Sequence, residues 1–220
     1  MKQLKLFLVL SCMAALSLSS CMKDDDSNNQ GLTMSDLAQC LNLVRGDYTG
    51  YLLYMTDLNR QTTDTLDVSW SISATDTTLY IRDFPTATFT GHLSKKDLGE
   101  AVAEQCPRWP LKCDIAFTML DPYVQFLIGP QKMQIPVRYN DIQHTLTVLY
   151  WYNDYSFGAK STSTNEMTLR LVIGGAFLDN DMNTNLLPDN YNNPVAVAGN
   201  SPWLPIVIST TLTPSSQASV

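Results

Sequence analysis

Imidazole, thiol and carboxylate groups are the side chains that could carry chemistry in this 220-residue chain, and their numbers narrow the choice at once. Only two histidines occur, His92 and His144, so a multi-histidine metal site or an imidazole relay has almost no material. His144 falls on the inward side of an alternating segment, where packing or hydrogen bonding is the ordinary role of the residue. His92 follows Gly91 ahead of a helical pattern and reads as a turn residue. The sequence holds no Gly-x-Ser-x-Gly elbow, no glycine-rich phosphate loop and no Cys-x-x-Cys pair. Aspartates are plentiful, so a glycosidase-type carboxylate pair could assemble in space, but no spacing selects one pair. Asp179-Asn180-Asp181-Met182-Asn183 sets oxygen ligands at positions 1, 3 and 5, as Ca²⁺ loops do. Thr184, however, stands where such a loop needs glycine, and Asn190 where it needs a bidentate glutamate. The expectation is a solvated loop and a protein with no metal, no cofactor and no catalytic residues.

Thiols offer a different chemistry. Cys106 and Cys113 bracket Pro107-Arg108-Trp109-Pro110-Leu111-Lys112, which reads as a turn-rich loop able to bring two Cα atoms within the roughly 6 Å of a disulfide. The sequence leaves open a bridge between them or two buried free thiols. Aromatic residues are the remaining candidates. Tyr150, Trp151, Tyr152 and Tyr155 cluster at a strand end, with Tyr191 and Trp203 in or near a long loop. Successive strand residues face opposite sides, so Tyr150 and Tyr152 are assigned to the core. Trp151, Tyr155 and Trp203 are the predicted exposed contacts, for a glycan, a peptide or a small apolar molecule.

Near the N-terminus, Lys2 and Lys5 precede an apolar run that ends in small residues at Leu18-Ser19-Ser20-Cys21. This is the layout of a secretory signal. The last four residues resemble the bacterial lipobox, in which the cysteine is acylated and becomes the first residue after cleavage. The resemblance implies a signal peptide over residues 1–20, lipidation at Cys21 and membrane attachment through acyl chains such as palmitate. Residues 21–32 carry almost no apolar side chains and are expected to be a flexible tether. Within it, Lys23-Asp24-Asp25-Asp26 is similar to the export tag of Bacteroidota lipoproteins, which implies the outer membrane and exposure at the cell surface. Without residues 1–20 the chain has 12 basic and 21 acidic side chains, a balance of −9. An acidic surface without Lys/Arg clusters excludes nucleic acid as a partner.

The elements that must position these residues are mostly strands. A helix is predicted over residues 33–44, where Thr33 and Asp36 form a variant capping box, and a second over 94–105, with Ser94 as its N-cap. Strands are predicted at 47–55, 66–72, 79–83, 114–120, 123–128, 132–140, 142–152, 166–177 and 204–212. Leu66, Val68, Trp70 and Ile72 alternate with polar residues, as do Met133, Ile135, Val137 and Tyr139. About nine strands with hairpin-length connections and two short helices give a mainly β fold, an antiparallel barrel or a two-sheet sandwich. One domain is expected over residues 33–214, followed by a disordered tail at 215–220.

Arg45-Gly46-Asp47-Tyr48-Thr49-Gly50-Tyr51-Leu52-Leu53-Tyr54 resembles the first strand of calycin-like barrels. Together with Thr78-Leu79-Tyr80-Ile81-Arg82-Asp83-Phe84-Pro85 and Gln134-Ile135-Pro136-Val137-Arg138-Tyr139, it is similar to a family of Bacteroidota surface lipoproteins classed as a domain of unknown function. The resemblance spans roughly residues 33–178, implies a calycin-like β fold and brings no catalytic residues. The expected function is therefore a membrane-anchored, non-catalytic ligand-binding lipoprotein. The alternatives are a structural or assembly subunit of a surface complex and, behind it, a hydrolase.

Overall fold

The computed structural model describes residues 31–57, 62–152, 155–163, 166–179 and 181–188, together with the backbone of 206–210. Residues 1–30 with Cys21, Tyr191, Trp203 and the tail at 215–220 lie outside the described residues.

Helix α1 (Met34–Val44) opens on a complete capping box. The Thr33 hydroxyl accepts from the Asp36 N–H, and the Asp36 carboxylate accepts from the Thr33 N–H at 2.8 Å. Gly46, at a φ of 136° that a side chain would resist, carries the chain into β1 (Gly46–Asp57). Next come β2 (Thr62–Ile72), β3 (Thr78–Pro85), the single-turn α2 (Ala87–Thr90), α3 (Lys96–Gln105) and β4 (Arg108–Met119). They are followed by β5 (Tyr123–Pro130), β6 (Met133–Tyr139), β7 (Ile142–Trp151), β8 (Phe157–Ser161), β9 (Met167–Leu178) and β10 (Ile206–Thr210). Among the described residues there are thus ten strands and three helices, β8 and α2 being additional to the elements the sequence predicts. Ser94 is not the cap of α3. That position falls to Lys95, without a side-chain cap bond, and the Ser94 N–H goes to Leu186 O.

All strand pairings are antiparallel, as expected from the short connections. Neighbours run β1, β2, β3, β4, β5, β8, β9, β7, β6, and β10 pairs with both β1 and β9. β7 and β8 lie along successive halves of β9: Trp151 opposes Val172 and Phe157 opposes Arg170. β7 and β8 therefore follow one another along the same side of β9.

The alternation read from sequence decides the core. Val68, Trp70 and Ile72 are buried, as are Met133, Ile135 and Val137, and they join one continuous apolar cluster with Cys40 and Val44 of α1 and Leu98 and Val102 of α3. Each fully buried large aliphatic or aromatic side chain there contributes about 1.5–3 kcal/mol. Two polar side chains fix the end of α1 on the strands. The Lys160 ammonium donates to Leu43 O at 2.6 Å, and the Tyr48 hydroxyl donates to Val44 O, satisfying carbonyls that a helix C-terminus leaves unpaired. α1 has no basic residue in its last turn, so Lys160 supplies the cation that the helix dipole favours there. Burial holds the Lys160 pKa below the ordinary lysine value and lifts that of Tyr48 to about 12.

Among the described residues strand β6 ends the sheet, and α3 lies along its edge. The Gln105 side chain acts as a one-residue strand: its Oε1 accepts from the Arg138 N–H and its Nε2 donates to Arg138 O, both at 2.9 Å. The Cys106 thiol donates to Pro136 O, and Pro136 has no N–H to satisfy. Pairing with another chain is thereby opposed along the Pro136–Arg138 part of this edge.

Candidate functional site

Trp151 and Tyr155 come together where the β7 strand gives way to β8, their ring centroids 6.1 Å apart. Tyr150 points inward and is buried against Phe84, so alternation places Trp151 on the outer face, where it is half-buried. Tyr152 is half-buried. The Trp151 ring lies over Gly174, where a Cβ would sit 3.0–3.2 Å from the indole; a larger residue on β9 would push the ring off the sheet. Tyr155 is exposed. On the same face Phe157 is exposed and takes the Arg170 guanidinium over its ring at 5.7 Å, directly across the β8–β9 ladder. Register places Leu127 of β5 on the other side of Phe157. The result is an outward aromatic surface with one cation. Two of its nitrogens, Trp151 Nε1 and Arg170 Nε, are buried without a partner among the described residues. Buried donors of this kind cost about 1–3 kcal/mol each when nothing accepts from them.

The residue that sets this geometry is Ser156, which the sequence reading passes over. It is fully buried; its hydroxyl donates to Trp151 O and accepts from the Val172 N–H, while its carbonyl accepts from the Ile128 N–H at 2.8 Å. One serine thus ties β5, β7 and β9 together at the foot of the loop bearing Tyr155. Replacing it with alanine strands the Val172 N–H in a buried site. The expected loss for Ser156→Ala is about 1–3 kcal/mol, read as a fall in the chemical-denaturation midpoint.

Of the sequence-predicted contacts, the structure brings Trp151 and Tyr155 together, and Trp203 lies outside the described residues. Of the two arrangements left open for the cysteines, the structure has the free thiols. Cys106 and Cys113 are both free, and no disulfide joins them. The segment between them is not a loop but the start of β4, whose extended rise of about 3.3 Å per residue carries Cys113 on the order of 20 Å from Cys106. Pro110 looks like a turn signal but sits where the β3–β4 ladder is irregular, so its missing N–H breaks no regular pairing. Cys106 caps α3, whereas Cys113 is fully buried on β4, where desolvation pushes its pKa up and keeps the thiol protonated.

His144 is half-buried and held by Asp179, 35 residues away: Nδ1 and Oδ2 are 2.5 Å apart. The other carboxylate oxygen accepts from the Thr145 N–H at 2.9 Å, and the Asp179 N–H returns to Thr145 O. With Nδ1 on the carboxylate, Nε2 is the basic nitrogen, the orientation a general base takes. Among the described residues no group of three His, Cys, Asp or Glu gathers that could hold a metal. Asp179 spends both oxygens on β7, and Asp181 turns inward to the Asn183 N–H and to Thr184, so neither carboxylate is turned to a shared ion. His92, the predicted turn residue, is buried in the turn after α2 and ties it to Met55 O of β1 at 2.8 Å.

The bonds from His144 and Thr145, with the charge of Lys95, hold the Asp179 pKa below the ordinary carboxylate value. A carboxyl whose folded pKa is depressed stabilises the fold fully above its unfolded value of about 3.9 and loses that contribution as pH falls through the folded value. Because Asp179 is half exposed, solvent keeps the effect small. Thermal midpoints measured from pH 5 to pH 2 should fall less steeply in Asp179→Asn than in the unaltered chain.

Searches of curated proteins and of solved structures find no match. A family model does match: the description is a domain of unknown function, DUF4840, and the match covers residues 43–178, from the end of α1 to the end of β9. That stretch holds Trp151, Tyr155, Ser156, Phe157, Arg170 and Gly174, and it makes up more than half of the sequence, so the chain belongs to the DUF4840 family.

Proposed function

We propose that this protein is a membrane-anchored lipoprotein of the bacterial cell surface that binds glycans, without catalysis, on the outer aromatic face around Trp151. The observation that carries the binding reading is Trp151 itself. It is a half-buried indole spread over a bare glycine, beside an exposed tyrosine. Sugars offer such a face an apolar C–H surface on which its rings can stack. The Arg170 guanidinium on Phe157 suits acidic sugars as well. Anchoring rests on the lipobox-like Leu18-Ser19-Ser20-Cys21 and surface exposure on the acidic run behind it. Membership of Bacteroidota lipoproteins and a calycin-like barrel belong to the same proposal, the second supported by β10 bonding to β1 on one side and β9 on the other.

Titration of the full chain in detergent against a panel of neutral and acidic glycans tests the binding. Trp151→Ala and Tyr155→Ala should each weaken the leading ligand about tenfold, the equivalent of 1.4 kcal/mol. No binding across the panel, or binding indifferent to both changes, ends the reading. Anchoring is tested separately: Cys21→Ser should abolish incorporation of a labelled palmitate analogue and release the protein from the membrane fraction.

A further inference from the structure

We infer that the seam between β2 and β3 is a lateral port, pinned by Arg108, through which a small, mostly apolar molecule carrying a hydrogen-bond acceptor reaches the interior beside Trp70. β1 and β2 stay paired from Gly46↔Ile72 to Asp57↔Thr62. β2 and β3, by contrast, pair only at Ser71↔Tyr80 and Ile72↔Leu79, next to their hairpin, although both strands continue well beyond. Beyond the last ladder pair the strands are joined by a side chain. Arg108, exposed at the start of β4, donates from one nitrogen, Nη1, to Asp67 O of β2 at 3.2 Å and to Asp83 O of β3 at 3.0 Å. Two bonds from an exposed guanidinium replace a run of ladder bonds, and exposed bonds of this kind are each worth little. Local opening selects such places, where few backbone bonds must break together.

Behind the seam lie the inward side chains of three strands: Trp70 of β2, Ile81 and Phe84 of β3, and Cys113 of β4 across from Leu79. Trp70 is 2 % exposed, and its indole N–H has no partner among the described residues. A buried donor left unpaired favours any occupant that brings an acceptor. The Tyr48 ring stacks on the indole at 5.5 Å and the β3 side chains behind the seam are apolar, so the rest of that occupant must be apolar or aromatic. The port does not depend on the outer aromatic face, which belongs to β7, β8 and β9.

Cys113 reports on the opening, since it is fully buried and a reagent must enter to reach it. The probe is iodoacetamide, small, uncharged and carrying an amide acceptor, with modification of each cysteine of the full chain in detergent followed by peptide mass spectrometry. Arg108→Met keeps the stem and removes the donors; alkylation of Cys113 should rise at least tenfold, with Cys40 and the thermal midpoint little changed. Arg108→Lys, which can still donate to both carbonyls, should stay near the unaltered rate. Equal acceleration of Cys40 and Cys113, or no acceleration of Cys113, overturns the port. Should Arg108→Met fail to fold, the unaltered chain still decides: Cys113 alkylation insensitive to low guanidinium supports local opening, and a denaturant slope equal to that of global unfolding refutes it.

Discussion

Gly158→Ala is expected to destabilise the domain by about 2–3 kcal/mol, a fall in melting temperature of roughly 5–10 °C for a domain of this size. Gly158 is the inward residue of β8 opposite Phe126 and Leu169. A Cβ there would sit 2.2 and 2.3 Å from two atoms of the Phe126 ring and 2.9 Å from a methyl of Leu169. Those distances are inside van der Waals contact by an ångström or more, so something must move. Phe126 is fully buried and packs edge-on against Phe117 at 6.0 Å, and Leu169 is also fully buried. Neither can swing into water. The opposing effect is the stiffer unfolded chain of alanine, worth about 0.4–1 kcal/mol, which the clash exceeds.

Gly91→Ala is the control. Gly91 ends α2 at a φ of −65°, and a Cβ there would meet nothing within 4 Å, so the same substitution should be neutral or slightly stabilising. Phe126→Leu should recover part of the loss in the Gly158→Ala background by shortening the ring, a coupling that additive sites would not show. If Gly158→Ala unfolds within 0.5 kcal/mol of the parent in denaturant titrations, the interior beside β8 is softer than the packing implies.

The same glycine explains why β8 carries no strand signature in the sequence. β6 and the second half of β2 were legible because each inward position carries a large apolar side chain, and all of those named for β6 except half-buried Tyr139 are buried. β8 was not. Its inward residues are Gly158 and Lys160, one empty because the Phe126 ring fills its place, the other a cation turned to the end of α1. Neither gives a period-two apolar signal. The first residues of β4 were hidden for a related reason, since Pro107 and Pro110 punctuate a stretch that tertiary pairing holds extended. α2 is one turn long, too short for a helical period.

The site divides along the same line. Trp151 and Tyr155 were found because aromatic residues at a strand end stand out, and alternation told Tyr150 from Trp151. Ser156, Gly174 and Arg170 were missed because each acts through a partner on another strand. The His144–Asp179 pair joins residues 35 apart, and nothing in either neighbourhood announces the other.

Gly99→Ala sets two known effects against each other, and packing should win by about 2–3 kcal/mol. Gly99 lies in the interior of α3, where alanine is intrinsically favoured over glycine by roughly 0.8–1.0 kcal/mol. On propensity alone the substitution stabilises. A Cβ at Gly99, however, would stand 2.3 Å from the carbonyl oxygen of Thr90 and 3.3 Å from its carbon. The obstacle is the backbone of α2, not a side chain that can rotate away, and α2 is fixed by the Thr86 hydroxyl on Cys106 O and the Thr88 hydroxyl on Pro85 O. Relief therefore requires α3 to lift by about an ångström, well above what a close-packed interior absorbs freely. Lifting α3 unseats Leu98 and Val102, both fully buried, and draws Gln105 away from Arg138. Two readouts follow. The melting temperature should drop, and hydrogen exchange at the Arg138 amide should accelerate more than at β7, because its partner is the side chain carried by α3. An uncovered β6 edge should also raise aggregation on heating. A gain of about 1 kcal/mol would instead mean that helix propensity prevails and that α2 yields to α3, in which case the edge cover at Arg138 is loose and Gln105 does not govern it.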